Sequence, residues 1–181
     1  MKALPFVGVC LLVTAVLTAC DVASAQSDSW PTKPDASLTP GLARDDLTLD
    51  EICTTKWGTD ARSVTAAMKQ QVMDEYAFKA SECPLTHLNG KAVHRVEIDH
   101  LIPRDLGGAD DVRNLWPECY EQVEPNKSEQ EDGAHKKDQL ETRLNKELCK
   151  DGHPTQEKLD EYRTEIKTDW IALYHKIYGD N

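Results

Sequence analysis

Positive charge is what this chain is short of. Its 181 residues carry 21 Lys and Arg against 32 Asp and Glu, a formal net charge of −11. Tight binders of polyanions draw most of their affinity from phosphate neutralisation by a basic face. The balance therefore argues against a stoichiometric nucleic-acid-binding protein. It bears less on a catalyst that turns substrate over with a cation supplying local positive charge. Other absences narrow the field further. There is no G-x-S-x-G elbow and no reactive-cysteine signature, so nucleophilic catalysis by Ser or Cys finds no support. Asp105, Asp110 and Asp111 lack the D-x-D-x-D-G order and closing glutamate of a calcium loop. No internal repeat is present, and only the amino-terminal apolar run approaches the length needed to cross a bilayer.

That run reads as an export signal. Lys2 gives a positive start, Leu4 to Leu17 is almost wholly apolar, and small residues follow. Residues 1–25 are thus expected to be a signal peptide with two competing cleavage sites. Leu17-Thr18-Ala19-Cys20 resembles a bacterial lipobox, which would leave a lipidated Cys20 as a membrane anchor, with Asp21 behind it resembling an inner-membrane retention signal. Ala23-Ser24-Ala25 fits ordinary signal peptidase. The expected location is periplasmic, extracellular or membrane-anchored, in a bacterium. Cys10 belongs to the leader, which leaves Cys53, Cys83, Cys119 and Cys149. No two of them form a C-x-x-C knuckle, so two disulfides are favoured over zinc, with all three pairings open.

Residues 26–45, rich in Pro, Ser, Thr and Asp, read as a flexible linker, and residues 46–181 as one domain. A 39% hydrophobic content suffices for a single core, and a monomer is expected. Ser63 is a plausible N-cap for a helix bearing Met68, Val72, Tyr76 and Ala80, ended by Cys83-Pro84. Asn89-Gly90 would turn the chain into a strand through Val93, Val96 and Ile98, delivering Asp99 and His100 at its end. A second short strand is expected around Asn114 to Trp116. Two amphipathic helices follow, about Ala134 to Leu148 and about Thr155 to Tyr178, the aromatic residues of the second being core. His94 alternates away from Val93 and reads as exposed. His87, His153 and His175 show no partner pattern.

The segment from Glu97 to Pro117, EIDHLIPRDLGGADDVRNLWP, carries the chemistry. Phosphodiester hydrolysis needs a base to activate water and a cation to stabilise charge on phosphate and leaving oxygen. A neutral imidazole can be the base near pH 7, and an adjacent carboxylate can hold a hard cation. Asp99-His100, the Gly107-Gly108 loop and Asn114 stand in the order of the HNH (ββα-metal) nuclease motif, which this segment resembles. EIDHLIP, LGG with NLWPE, AHKKDQLETRL, and ELC with DWIALYHKIYG are similar to small exported bacterial proteins with an HNH-like domain.

The resemblance implies an α+β fold: a ββα-metal core of a short two-stranded sheet and a helix, surrounded by further α-helices. It implies a metal-dependent endonuclease with His100 as general base and Asn114 orienting the His100 loop. Asp99 and His135 would be metal ligands, Asn126 being the alternative third ligand. Glu97, Lys137 and Asp138 would support the site. Read alone, Lys137, Asp138 and Glu141 are a surface charge cluster, and no lysine follows Glu141 at i+4. Magnesium or manganese suits so few imidazoles, whereas zinc or nickel would want more nitrogen ligands. The substrate would be nucleic acid, DNA before RNA, weakly held. The rival expectation is a non-catalytic HNH-like envelope lipoprotein serving as a binding or structural module. It is favoured by the acidic charge and by Gly133, where similar proteins commonly have asparagine.

Overall fold

The computed structural model describes residues 33–120, 133–150 and 154–179. The expected leader, Cys20, the first part of the linker and Asn126 lie outside the described residues. Within them the protein is α+β, with four α-helices and two separate antiparallel two-stranded sheets. In order these are α1 (Leu49–Thr54), α2 (Ala66–Glu75), β1 (Leu85–Leu88), β2 (Lys91–His94), β3 (Val96–His100), β4 (Leu115–Cys119), α3 (Ala134–Cys149) and α4 (Gln156–Tyr178).

Sequence-level stops decide most boundaries. α1, which had not been expected, opens on a reciprocal cap: the Glu51 amide donates to Thr48 Oγ1 and the Thr48 amide donates to Glu51 Oε2. α2 is capped by Thr65 rather than the expected Ser63. It also ends at Glu75, short of Ala80, because Ala77 takes a left-handed backbone (φ 48°). Asn89-Gly90 makes a tight hairpin between β1 and β2. The strand expected from Val93 to His100 is therefore two strands, which belong to different sheets.

The β3–β4 hairpin positions everything that follows. Glu97 lies opposite Glu118, Ile98 opposite Pro117, Asp99 opposite Trp116, and His100 opposite Leu115. Side chains alternate across a strand, so odd and even residues of β3 serve opposite faces. Ile98 and Leu115 pack on Val72 of α2. Trp116 joins Leu140, Leu144, Tyr162, Ile166 and Trp170 in the main core beneath α3 and α4. Pro117 is tolerated because a two-stranded sheet leaves each strand one edge without ladder bonds. α4 breaks its helical backbone at Asp169, whose Oδ1 recaps the chain by accepting from the Ala172 amide.

Two disulfides bind the elements together. Cys53–Cys149 joins α1 to the end of α3, and Cys83–Cys119 joins the chain before β1 to the end of β4. Residues 33–45, expected as the end of a loose linker, instead dock on the body. Thr39 is fully buried and its hydroxyl donates to the Leu115 carbonyl. Ala43 bridges Gly108, and the Leu42 amide donates to Asn114 Oδ1. Composition misleads there because these bonds are made by backbone and single polar atoms, which leave no apolar period.

Candidate functional site

The loop after β3 folds back on itself so tightly that one side chain is excluded. A Cβ at Gly108 would stand 1.8 Å from the Ile102 carbonyl oxygen, and Gly107 has φ +80°. The Gly-Gly pair is thus required by a close backbone approach and a left-handed turn. Asn114, fully buried, ties this loop. Its Oδ1 accepts from the Ile102 amide at 2.9 Å and the Leu42 amide at 3.2 Å; its Nδ2 donates to the carbonyls of Ile102 at 3.0 Å and Ala109 at 3.1 Å. All four bonding positions of one amide are satisfied by backbone, which fixes the path from His100 to Asp110.

On the α2 side of the hairpin, His100 Nε2 lies 2.7 Å from Asp110 Oδ1. The imidazole is only 3% exposed. Burial pulls its pKa below the usual value, although Asp99 and Asp110 act the other way. Asp110 is held below the carboxylate range: burial opposes this, but the Ser63 amide, at 2.6 Å from Oδ2, and His100 outweigh it. An ionised carboxylate only accepts, so Nε2 carries the hydrogen and Nδ1 keeps the lone pair. Asp110 opens onto a cleft of about 370 Å³ that Arg44, Trp57, Ser63, Arg104 and Asp111 also line. Arg104 Nε is 3.6 Å from the same Asp110 oxygen, and its guanidinium also pairs with Asp60.

The α3 side is acidic. Glu97, Asp99 and Glu118 share that face, with ligand atoms all within 4.8 Å of one another. Into it reaches Lys137, buried rather than on the surface. Its Nζ donates to Asp99 Oδ2 at 2.6 Å, to the His100 carbonyl at 2.7 Å, and to Glu141. The i,i+4 partner of Glu141 thus precedes it. Burial would lower the Lys137 pKa, yet Asp99, Glu141 and Glu118 hold it above the ordinary range. Asp99 is lowered, since Lys137 overcomes its burial. Burial raises Glu118, Glu141 and Glu97. Glu97 Oε2 accepts from the Tyr120 hydroxyl at 2.6 Å.

Asp99 and His100 therefore lie next to each other in sequence but on opposite sides of β3. His135 sits in the first turn of α3 with its ring against Tyr120, 5.1 Å between centroids, and is not in the converging carboxylate group. Asp138, raised by burial, is near enough to Asp99 to feel its charge. Cys53, Cys83, Cys119 and Cys149 are all in disulfides and are not metal ligands. Sequence reasoning missed Asp110, Glu118 and Arg104 as site residues. Pairing the two strands about Ile98 and Pro117 would have set Glu118 opposite Glu97; nothing in the local spacing singles out Asp110. In comparisons with known proteins, no family model matches the chain, and no match is found among curated proteins or solved structures.

Proposed function

We propose that the chain is an exported, metal-dependent endonuclease of the HNH type, hydrolysing nucleic-acid phosphodiester bonds. The observation that carries this reading is the His100–Asp110 pair at 2.7 Å, beside a cleft bearing Arg44 and Arg104. Two guanidiniums there, Arg44 paired with Asp46 and Arg104 with Asp60, could exchange these carboxylates for backbone phosphate on a chain whose net charge of −11 otherwise repels it. His100 Nδ1 takes a proton from the attacking water, a contribution of roughly 10²–10⁴-fold. Asp110 steadies the imidazolium that results, and Asn114 keeps the loop between them in one shape. A hard divalent cation, magnesium or manganese, would supply charge stabilisation on phosphate and leaving oxygen. Asp99 faces away from the cleft across β3, so a cation held there would act only on substrate that reaches past the hairpin. Two disulfides accord with an oxidising compartment reached by export; a lipid anchor at Cys20 belongs to the same proposal.

The test is to incubate the full chain with supercoiled plasmid, single-stranded DNA and RNA, adding Mg²⁺, Mn²⁺ or chelator. Chelator-sensitive cleavage that disappears in His100→Ala is expected. A folded protein that cuts nothing with either ion, or a His100→Ala variant as active as its parent, overturns the reading.

One observation favours a second reading, a non-catalytic HNH-like module. The Lys137 ammonium holds Asp99 Oδ2 and the His100 carbonyl, so a side chain supplies positive charge where a catalyst would use an ion. On this reading Lys137→Met unfolds the site, and no variant or ion produces cleavage.

A further inference from the structure

We propose that Glu97, Asp99 and Glu118 form the seat of one hard divalent cation, on the α3 face of the β3–β4 hairpin. The inference goes beyond the reading above, since this seat lies across β3 from the His100–Asp110 cleft, and it sets Glu118 in place of His135 beside Asp99.

The hairpin register creates the arrangement. Glu97 and Glu118 are direct cross-strand partners, and Asp99 is two residues along on the same face. Like charges directly opposed across a sheet are destabilising unless something offsets them. Lys137 does so in part: its charge is felt by all three, but within the trio it hydrogen-bonds only Asp99, its other bonds going to the His100 carbonyl and Glu141. Among the described residues, Glu97 receives a side-chain hydrogen bond from Tyr120.

Glu118 is the decisive residue. It is 0% exposed, and among the described residues neither of its carboxylate oxygens has a hydrogen-bond partner. A buried carboxylate with no donors costs several kcal/mol unless it is neutralised. One of its oxygens lies within 4.8 Å of one oxygen each of Glu97 and Asp99, so one ion could neutralise all three. Three carboxylates and no imidazole are a hard donor set, suited to Mn²⁺, Mg²⁺ or Ca²⁺ and poorly suited to zinc or nickel. The rival for the same place is a proton on Glu118.

Binding of Mn²⁺ to the full chain, by calorimetry and by its effect on melting, separates the two. The expected result is one ion per chain, with a rise in Tm that grows with ion concentration. Glu118→Gln, which matches a protonated glutamate in shape, should stay folded and weaken binding by at least about tenfold. His135→Ala should bind as its parent does. Unchanged binding in Glu118→Gln overturns the proposal, as does a parent protein whose Tm ignores the ion. Should Glu118→Gln fail to fold, Glu97→Gln takes its place under the same criteria. One-to-one binding without any cleavage leaves the seat standing and removes the nuclease reading. Cleavage with binding indifferent to Glu118 does the reverse.

Discussion

Asn114 grips Ile102 by both of its backbone groups, accepting from its amide at 2.9 Å and donating to its carbonyl at 3.0 Å. A loop of this kind would ordinarily sample several shapes. Here one buried side chain replaces the ladder bonds that the chain gives up when it leaves β3. Asn114→Ala strands the buried backbone groups of Ile102 and Ala109, each costing roughly 1–3 kcal/mol if unsatisfied, and the part-buried Leu42 amide. A loss of about 3 kcal/mol or more in urea unfolding is expected. A loss below about 1 kcal/mol would mean that the loop holds its shape without the amide.

Asp110 acts through His100 and is a positioning residue. Asp110→Asn keeps the size but can present an N–H to Nε2 and so favour the wrong tautomer. Cleavage should fall by about 10²-fold with KM little changed, and the pH profile should move with it. An equal fall in Asp110→Asn and Asp111→Asn, with no change in pH profile, would show that only the charge of the cleft matters.

Lys137 is the hub of the acidic face. Lys137→Met keeps the bulk and deletes the ammonium, leaving Asp99 and Glu141 buried without their cation. Breaking one partner of a buried pair costs about 3–5 kcal/mol, read as a drop in the urea midpoint. A variant as stable as its parent would mean that water or protons already compensate these carboxylates.

Asp105 sets a pH dependence of opposite sign from the usual paired carboxylate. Burial raises it from 3.8 to about 7, and Oδ1 has no partner among the described residues. Between those values the folded chain keeps a proton that the unfolded chain has released. Stability from this group is therefore full below pH 3.8 and falls as pH rises to about 7. Asp105→Asn should melt higher than its parent at pH 8 and equal to it at pH 4. Parallel curves for the two proteins across that range would sink the assignment.

The two disulfides should differ in weight. Cys53–Cys149 closes a separation of 96 residues and Cys83–Cys119 one of 36. On chain entropy alone, serine substitution of the first pair should cost about 1 kcal/mol more than of the second. Chemical unfolding of the two double variants measures the difference.

What could be read from sequence followed how local each signal was. The α3 and α4 stripes were legible because their apolar period is imposed by one buried face, and the structure keeps them as Ala134–Cys149 and Gln156–Tyr178. The hairpin turn was legible because Asn89-Gly90 permits positive φ at both positions. Read from charge alone, Lys137 belongs to a surface cluster, because charge does not reveal that a helix face is covered; the resemblance instead sets it in support of the site, and the structure buries it against Asp99. Asp110 is not legible from sequence, because its partner ten residues earlier meets it through a glycine-dependent fold-back with no period. The burial of Thr39 is not legible from sequence, since it rests on its hydroxyl's bonds to the Leu115 carbonyl and the Tyr76 hydroxyl and on its amide's bond to Asp35, none of which leaves an apolar period.

The fine balance of the molecule resides in β3, five residues long. Its two-residue rhythm sends the acids to one neighbour and the imidazole to another. Removing a single residue from that strand would leave the composition almost intact while turning the chemistry inside out. The carboxylates would be thrust against the greasy flank of α2 and His100 against the lysine. The length of this strand therefore decides, residue by residue, which neighbour each group meets.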